Sequence, residues 1–198
     1  MSVVILNPGI GNIRSVENWL KRLLIEYSVL GIGDNANTTT STIMIMPGVG
    51  DSVAYANRIS RWEWAVETIQ NRRFGRLIGI CAGFQVLCNH VYERGRDAEG
   101  LGVIPAISKD QTLSTAHNGW TEVDLTFLDA KRLRDVPRQE VFFNHACCVI
   151  PSCSDDSFSM DKLGFATQYL KGNIIGMQYH PEKSGALGDA IGTHLLNV

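Results

Sequence analysis

The stretch Leu77-Ile78-Gly79-Ile80-Cys81-Ala82-Gly83-Phe84-Gln85 joins an apolar run to a helix-forming segment, with a cysteine at the junction and a glycine two residues to either side. An unbroken apolar run marks a strand buried on both faces, as in a parallel sheet. Glycines at such a junction let the backbone turn sharply without a Cβ clash, which lifts the thiol above the sheet edge as in a nucleophile elbow. The N-terminal end of the helix that follows favours thiolate over thiol, and its free N–H groups can help hold an oxyanion. On these residues alone, Cys81 as a small core residue stays open.

Outward from this junction, strand and helix signals alternate. Val3-Val4-Ile5-Leu6 and Ile43-Met44-Ile45-Met46 repeat the buried-strand pattern, and Val29-Leu30-Gly31-Ile32 is a weaker third case. Asn12 is placed to cap a helix whose apolar residues, Ile13, Val16, Trp19, Leu20, Leu23, Leu24 and Tyr27, recur at helical spacing. Trp62, Ala65, Val66 and Ile69 mark a second helix. Residues 84–92 read as a helix after the elbow and residues 184–196 as a closing helix. Such alternation predicts an α/β fold, a mainly parallel open sheet flanked by helices. Beyond residue 95 the apolar runs are short and closely spaced: Val103-Ile104, Thr121-Glu122-Val123, Val141-Phe142-Phe143, Cys148-Val149-Ile150 and Ile174-Ile175-Gly176-Met177. They predict an additional antiparallel strand region. No repeat or linker divides the chain, so residues 1–198 are expected to form a single domain.

With 44% hydrophobic and 19% charged residues in 198, the chain can build a core and is not disordered. Eighteen Lys and Arg against 20 Asp and Glu give a net charge of −2, which offers nucleic acid or an anionic membrane no electrostatic hold. The longest mostly apolar run, residues 77–88, falls short of the ~20 residues that span a bilayer, and the first residues lack a signal-peptide pattern. A soluble, cytoplasmic protein is expected. Five cysteines (81, 88, 147, 148, 153) are an odd number with one adjacent pair, which suits free thiols in a reducing compartment better than a disulfide framework. Without C-x2-C or H-x3-H spacing, neither metal nor cofactor is expected.

A cysteine nucleophile needs a base, and the base an orienting group. His90, in the expected helix after the elbow, and His194, near the end of the closing helix, read as surface or packing residues. His180 follows an apolar strand and opens His180-Pro181-Glu182. Pro181 fixes φ and keeps the triplet extended, so residues i and i+2 share a side. Glu182 can then accept from one imidazole nitrogen while the other faces the thiol; a surface turn is the plainer alternative. Pro47-Gly48-Val49-Gly50 ends a strand with glycines that let N–H groups approach a substrate. That suits an oxyanion hole, worth about 3–4 kcal/mol per donor, or an ordinary turn.

Together the strand-P-G-V-G, strand-G-x-C-x-G-x-Q and strand-H-P-E-K-S segments resemble the class I (triad) glutamine amidotransferases. More narrowly, they resemble the branch that forms glutaminase subunits of imidazole glycerol phosphate synthases. Gly11-Asn12-Ile13-Arg14-Ser15-Val16, Gly100-Leu101-Gly102-Val103-Ile104-Pro105, His117-Asn118-Gly119-Trp120 and residues 176–184 carry the resemblance over nearly the whole chain. It implies a Cys81, His180, Glu182 triad that hydrolyses L-glutamine to glutamate and ammonia through a thioester. It also implies an oxyanion hole from the backbone N–H groups of Ala82 and of Val49 or Gly50, and glutamine contacts at Gln85, Glu93 and His145. The implied partner is a (β/α)8 cyclase that receives the ammonia in a heterodimer, for histidine biosynthesis, with Asn12, Trp120 and Lys183 at the interface. Taken without the family, those three read as a helix cap, a core residue and a solvated charge.

The chain departs from the family pattern at Asn7-Pro8-Gly9, at Ala82 and Phe84, at Asn118, and at His145-Ala146-Cys147 where the family has H-[ST]-Y. These departures leave the triad intact and bear on partner and pathway. Other readings are a paralogue feeding a sugar amidotransferase in surface-glycan synthesis, a partner-binding scaffold without turnover, and a stand-alone cysteine hydrolase.

Overall fold

A computed structural model describes residues 2–110, 117–128, 136–137 and 139–196. The apolar runs of the first half form β1 (Ser2–Asn7), β2 (Tyr27–Gly31), β3 (Thr42–Met46) and β4 (Arg76–Ile80). Between them lie α1 (Ile13–Arg22), α2 (Ser52–Ile59) and α3 (Glu63–Gln70). After β4 come α4 (Ala82–Leu87), β5 (Cys88–Glu93), β6 (Arg96–Glu99), β7 (Ile104–Asp110), β8 (His117–Glu122), β9 (Glu140–His145) and β10 (Cys147–Pro151). The chain continues through β11 (Phe158–Met160), β12 (Ala166–Lys171) and β13 (Ile174–Met177) to a 3-10 turn at Pro181–Lys183 and α5 (Gly185–Leu195).

Eleven strands share one sheet in the order β2-β1-β3-β4-β13-β12-β10-β7-β5-β6, with β11 added on β12. The pairs from β2 to β13 are parallel, and those from β13 to β7 are antiparallel. β5 is parallel to β7 and antiparallel to β6. A separate hairpin pairs β8 with β9. This is the expected mixed α/β architecture. Each face of the sheet buries its own apolar cluster: one with side chains of α2, α3 and α4, the other with those of α1, α5 and β9. Among the described residues no helix is long and apolar enough to cross a membrane.

Three local expectations change. The first helix stops at Arg22 instead of reaching Tyr27, because Leu24 turns left-handed (φ 57°). The N–H groups of Leu24 and Ile25 then close back on Lys21 and Leu20, a Schellman-type ending. The helix after the elbow lasts six residues. Val91 and Glu93 are buried while Tyr92 is exposed, a two-residue period that places this segment in β5. His90 therefore sits on a strand, 3.0 Å from Asp97 and 3.3 Å from Glu99 on β6. Helix α2 and strands β6, β11 and β12 had no counterpart in the sequence reading; Asp51 caps α2 by accepting from the Ala54 N–H at 2.8 Å.

Candidate active site

Cys81 itself carries the elbow's strain, at φ 48° and ψ −107°. The residue is held there by its N–H donating to Met177 O of β13 at 2.7 Å, with Gln85 N–H bonding Cys81 O at 3.0 Å. The flanking glycines act by leaving room. A Cβ on Gly79 would lie 2.9 Å from the α4 backbone at Gly83 O and Phe84 Cα, and one on Gly83 closer still to Met46 O, so a side chain at either position would push α4 off the sheet. A positive-φ residue on a tight strand-to-helix turn is the geometry of a nucleophile elbow, which exposes the side chain above the sheet edge.

His180 reaches the same place from β13. Its N–H donates to Phe142 O at 2.8 Å, which ties it to β9. Its Nδ1–H donates to Glu182 Oε1 at 2.8 Å, with both side chains fully buried. The expected extended triplet is instead a 3-10 turn with Pro181 in its first position. Proline fits there because its fixed φ suits a first turn and its missing N–H goes unused. The predicted His–Glu contact forms all the same. With Nδ1 committed to the carboxylate, Nε2 is the nitrogen left to work as a base. It has no hydrogen-bond partner, while the Cys81 thiol is directed at Asn144 O, 3.7 Å away. Burial pushes the His180 pKa down. Contact with Cys81 and the bond and charge of Glu182 more than offset this, raising it to about 9, so a proton given up by Cys81 is held on the imidazole as an imidazolium beside the thiolate.

The Pro47-Gly48-Val49-Gly50 turn lies directly on this pair. A Cβ at Gly48 would fall 2.8 Å from His180 Cε1 and 2.9 Å from Cys81 Cβ. Val49 holds φ 74° and Gly50 φ 108°. A β-branched residue in the left-handed region is a strained outlier, so this peptide's orientation is imposed by its surroundings. Asn12 N–H donates to Gly48 O at 2.7 Å, and Arg58 braces the preceding loop by donating to Pro8 O and Gly9 O.

A cavity of about 400 Å³ opens here, with Cys81, Ala82, Val49 and Gly50 among its lining residues. Its remaining wall includes Gln85, Glu93 and His145, the three residues expected to contact glutamine. Glu93 is buried with Oε2 accepting from the Ser52 N–H (2.6 Å) and hydroxyl (2.8 Å). His145 Nδ1–H donates to Cys147 O at 2.8 Å and leaves Nε2 unpartnered. Burial is the largest influence on this imidazole and lowers its pKa to about 4; Cys147 O opposes the shift, and nearby His117 and His180 assist it. Gln85 donates through Nε2 to Cys147 O (3.1 Å) and to Gln178 Oε1 (3.2 Å).

Trp120 is exposed, which removes the core-packing reading; its ring meets Phe142 edge-on at 5.6 Å, and Lys183 Nζ lies 5.9 Å from the centre of the same ring. Asn12 is both a helix cap, accepting from Ser15 N–H at 3.3 Å, and a prop for the Gly48 turn. The departure at Phe84 has a packing counterpart, because a Cβ on Gly176 would run into the Phe84 ring. Sequence reasoning missed Ser52 and Arg94. Arg94 lines the cavity mouth from a tight β5–β6 turn in which it and Gly95 have φ 53° and 71°. The two consecutive left-handed residues were hidden because Arg-Gly is a weak signal for such a turn. Among the described residues no His, Cys, Asp or Glu group is placed to hold a metal ion.

The sequence pattern of the family described as glutamine amidotransferase class-I matches residues 4–192. Imidazole glycerol phosphate synthase subunit HisH of Idiomarina loihiensis is 31% identical over 196 residues, covering 96% of this chain and 95% of that protein. The subunit of the same name from Haloarcula marismortui is 30% identical, covering 94% and 90%. The chloroplastic hisHF protein of Arabidopsis thaliana is also 30% identical over 94% of this chain, which spans only 32% of that longer protein. Among solved structures, a glutamine amidotransferase superposes with a TM-score of 0.68 at 16% identity, with 99% of each chain covered. PurLQS from Thermotoga maritima gives 0.70 at 15% identity, covering 99% and 97%; at these identities the likeness is one of fold.

Proposed function

The chain belongs to the class I glutamine amidotransferase family, and from that membership we propose that it is a glutaminase subunit delivering ammonia to a cyclase that makes imidazole glycerol phosphate. Cys81 is the nucleophile. His180 Nε2 takes the thiol proton, and the sulfur attacks the side-chain amide carbon of glutamine. The oxyanion forms against N–H groups of Ala82 and of Val49 or Gly50. His180 returns the proton to the departing ammonia, leaving a γ-glutamyl thioester. Water, deprotonated by the same imidazole, then hydrolyses the thioester to glutamate and frees the sulfur. Glu182 holds Nδ1–H and stabilises the imidazolium. Gln85, Glu93 and His145 surround the substrate's amino-acid end. Ammonia in neutral water is mostly protonated and non-nucleophilic, so a protected path into a (β/α)8 partner docked near Asn12, Trp120 and Lys183 keeps it reactive.

The observation that carries this reading is the buried 2.8 Å His180–Glu182 bond, with Nε2 left open beside a cysteine on a strained elbow. Its test is glutamate release by the purified chain, alone and with a cyclase subunit and its nucleotide ligand, against Cys81→Ala. Stimulation that vanishes in the variant is the expected result. Cys81-dependent turnover that ignores the cyclase overturns the partner and pathway.

A further inference from the structure

Gln178 follows β13 and is 1% exposed, with its backbone N–H donating to Thr167 O at 2.9 Å. Its side chain stands between two others: Nε2 lies 3.6 Å from Cys81 Sγ, and Oε1 lies 3.2 Å from Gln85 Nε2. The ends of a glutamine amide are distinguished only by their partners, and here the partners decide. Cys147 O can only accept, so the Gln85 atom 3.1 Å from it is the nitrogen. That nitrogen spends its second hydrogen on Gln178, so the Gln178 atom facing it is the oxygen. The nitrogen of Gln178 therefore faces the sulfur. One backbone carbonyl, read through two buried amides, fixes an N–H donor on Cys81.

We infer that Gln178 is a catalytic residue whose amide N–H stabilises the Cys81 thiolate, and that Gln85 is a positioning residue that keeps this N–H aimed at the sulfur. The inference rests on Cys81 being the nucleophile, as proposed above. While the thiol keeps its proton, Sγ–H is directed at Asn144 O. Once the proton moves to His180 Nε2, that carbonyl faces an anion and gives it nothing. The Gln178 N–H then becomes a charge-assisted bond, roughly twice as strong as its neutral form. It is thus worth more to the thiolate than to the thiol, the difference that speeds a reaction. The same donor serves the second half-reaction. When water's oxygen bonds to the acyl carbon and the C–S bond breaks, the electron pair leaves on sulfur, again as a thiolate.

The test is the pH dependence of Cys81 alkylation by iodoacetamide, in which the thiolate forms a C–S bond and iodide leaves. The protein is the full chain carrying Cys153→Ser, which removes the exposed cysteine, and the modified peptide is located by mass spectrometry. Gln178→Met keeps the side chain's length and loses the donor. The midpoint is expected to rise by about one pH unit, a tenfold weaker thiolate preference, and kcat to fall about tenfold while KM holds. Gln85→Leu moves the midpoint the same way, because Gln178 is then free to turn its oxygen to the sulfur. If the Met variant does not fold, Gln178→Glu puts an acceptor where the donor was and raises the midpoint further. An unmoved midpoint in a folded variant overturns the inference. Alkylation needs no turnover, so a protein that lacks glutaminase activity yet shows a Gln178-dependent midpoint would sink the proposed function and leave this assignment standing.

Discussion

The two halves of the sheet feed the active site differently. On the parallel side, β3, β4 and β13 lead at their carboxyl ends into Gly48-Val49, Cys81 and His180, so three distant segments meet at one edge. On the other side, β5, β7 and β10 form the wall that holds Glu93 and Cys147. Cys81 and the Gly48-Val49 turn are set by the backbone, with positive φ at Val49 and Cys81 and glycines packed against them. The binding wall relies on side-chain hydrogen bonds, with Glu93 on Ser52 and His145 on Cys147 O. Chemistry should therefore fail abruptly when the first region is altered, and affinity should degrade gradually when the second is.

Substitutions test that contrast. Cys81→Ala is expected to lower glutamine hydrolysis by on the order of 10³-fold or more, with unchanged thermal stability; residual Cys81-independent turnover would break the assignment. Gly48→Ala adds a methyl within 3 Å of both reacting side chains, and a displacement of about 1 Å should cost on the order of 10²-fold in kcat. Ser52→Ala leaves Glu93 its backbone donor but removes the hydroxyl. Since hydrogen bonds to charged groups are worth about 1.5–3 kcal/mol, KM for glutamine should rise about tenfold with kcat retained. A kcat loss as deep as that of Gly48→Ala would erase the distinction between the two regions.

The smallest effect is in the pH dependence of stability, where the two site histidines run opposite ways. His180 is raised from 6.5 to about 9, so its charged form contributes fully below pH 6.5, and this is lost as pH rises through about 9. His145 is lowered from 6.5 to about 4, so its neutral form contributes above pH 6.5, and this is lost as pH falls through about 4. Denaturant melts of His180→Asn and His145→Asn across pH 4–10 should diverge from the parent at opposite ends. Divergence of both at the same end would contradict the environments described for them.

Much of the reactive edge was legible because its signals are local. Glycine spacing around Cys81, the P-G-V-G turn and H-P-E-K-S each act within a few residues, and the strands leading to them are continuous apolar runs. The helix expected over residues 84–92 failed because pairing with β6 and β7 overrode local pattern, and that pairing puts Glu93 in the pocket. Trp120 could not be placed from its neighbours either. Its exposure depends on the β8–β9 hairpin standing apart from the main sheet.

By itself the sequence determined the α/β class, the order of the parallel strands' apolar runs, and which cysteine, histidine and glutamate the elbow and the H-P-E triplet single out. Those follow from backbone sterics and short-range periodicity, which neighbouring residues settle among themselves. Only the tertiary structure decided that Ser52 holds Glu93, that Gly48 is wedged between Cys81 and His180, and which end of Gln178 meets the sulfur. Each of these is a contact between residues more than 30 positions apart in the chain. Such contacts exist only once the sheet has brought its strand ends together and burial has left every polar atom a short choice of partners.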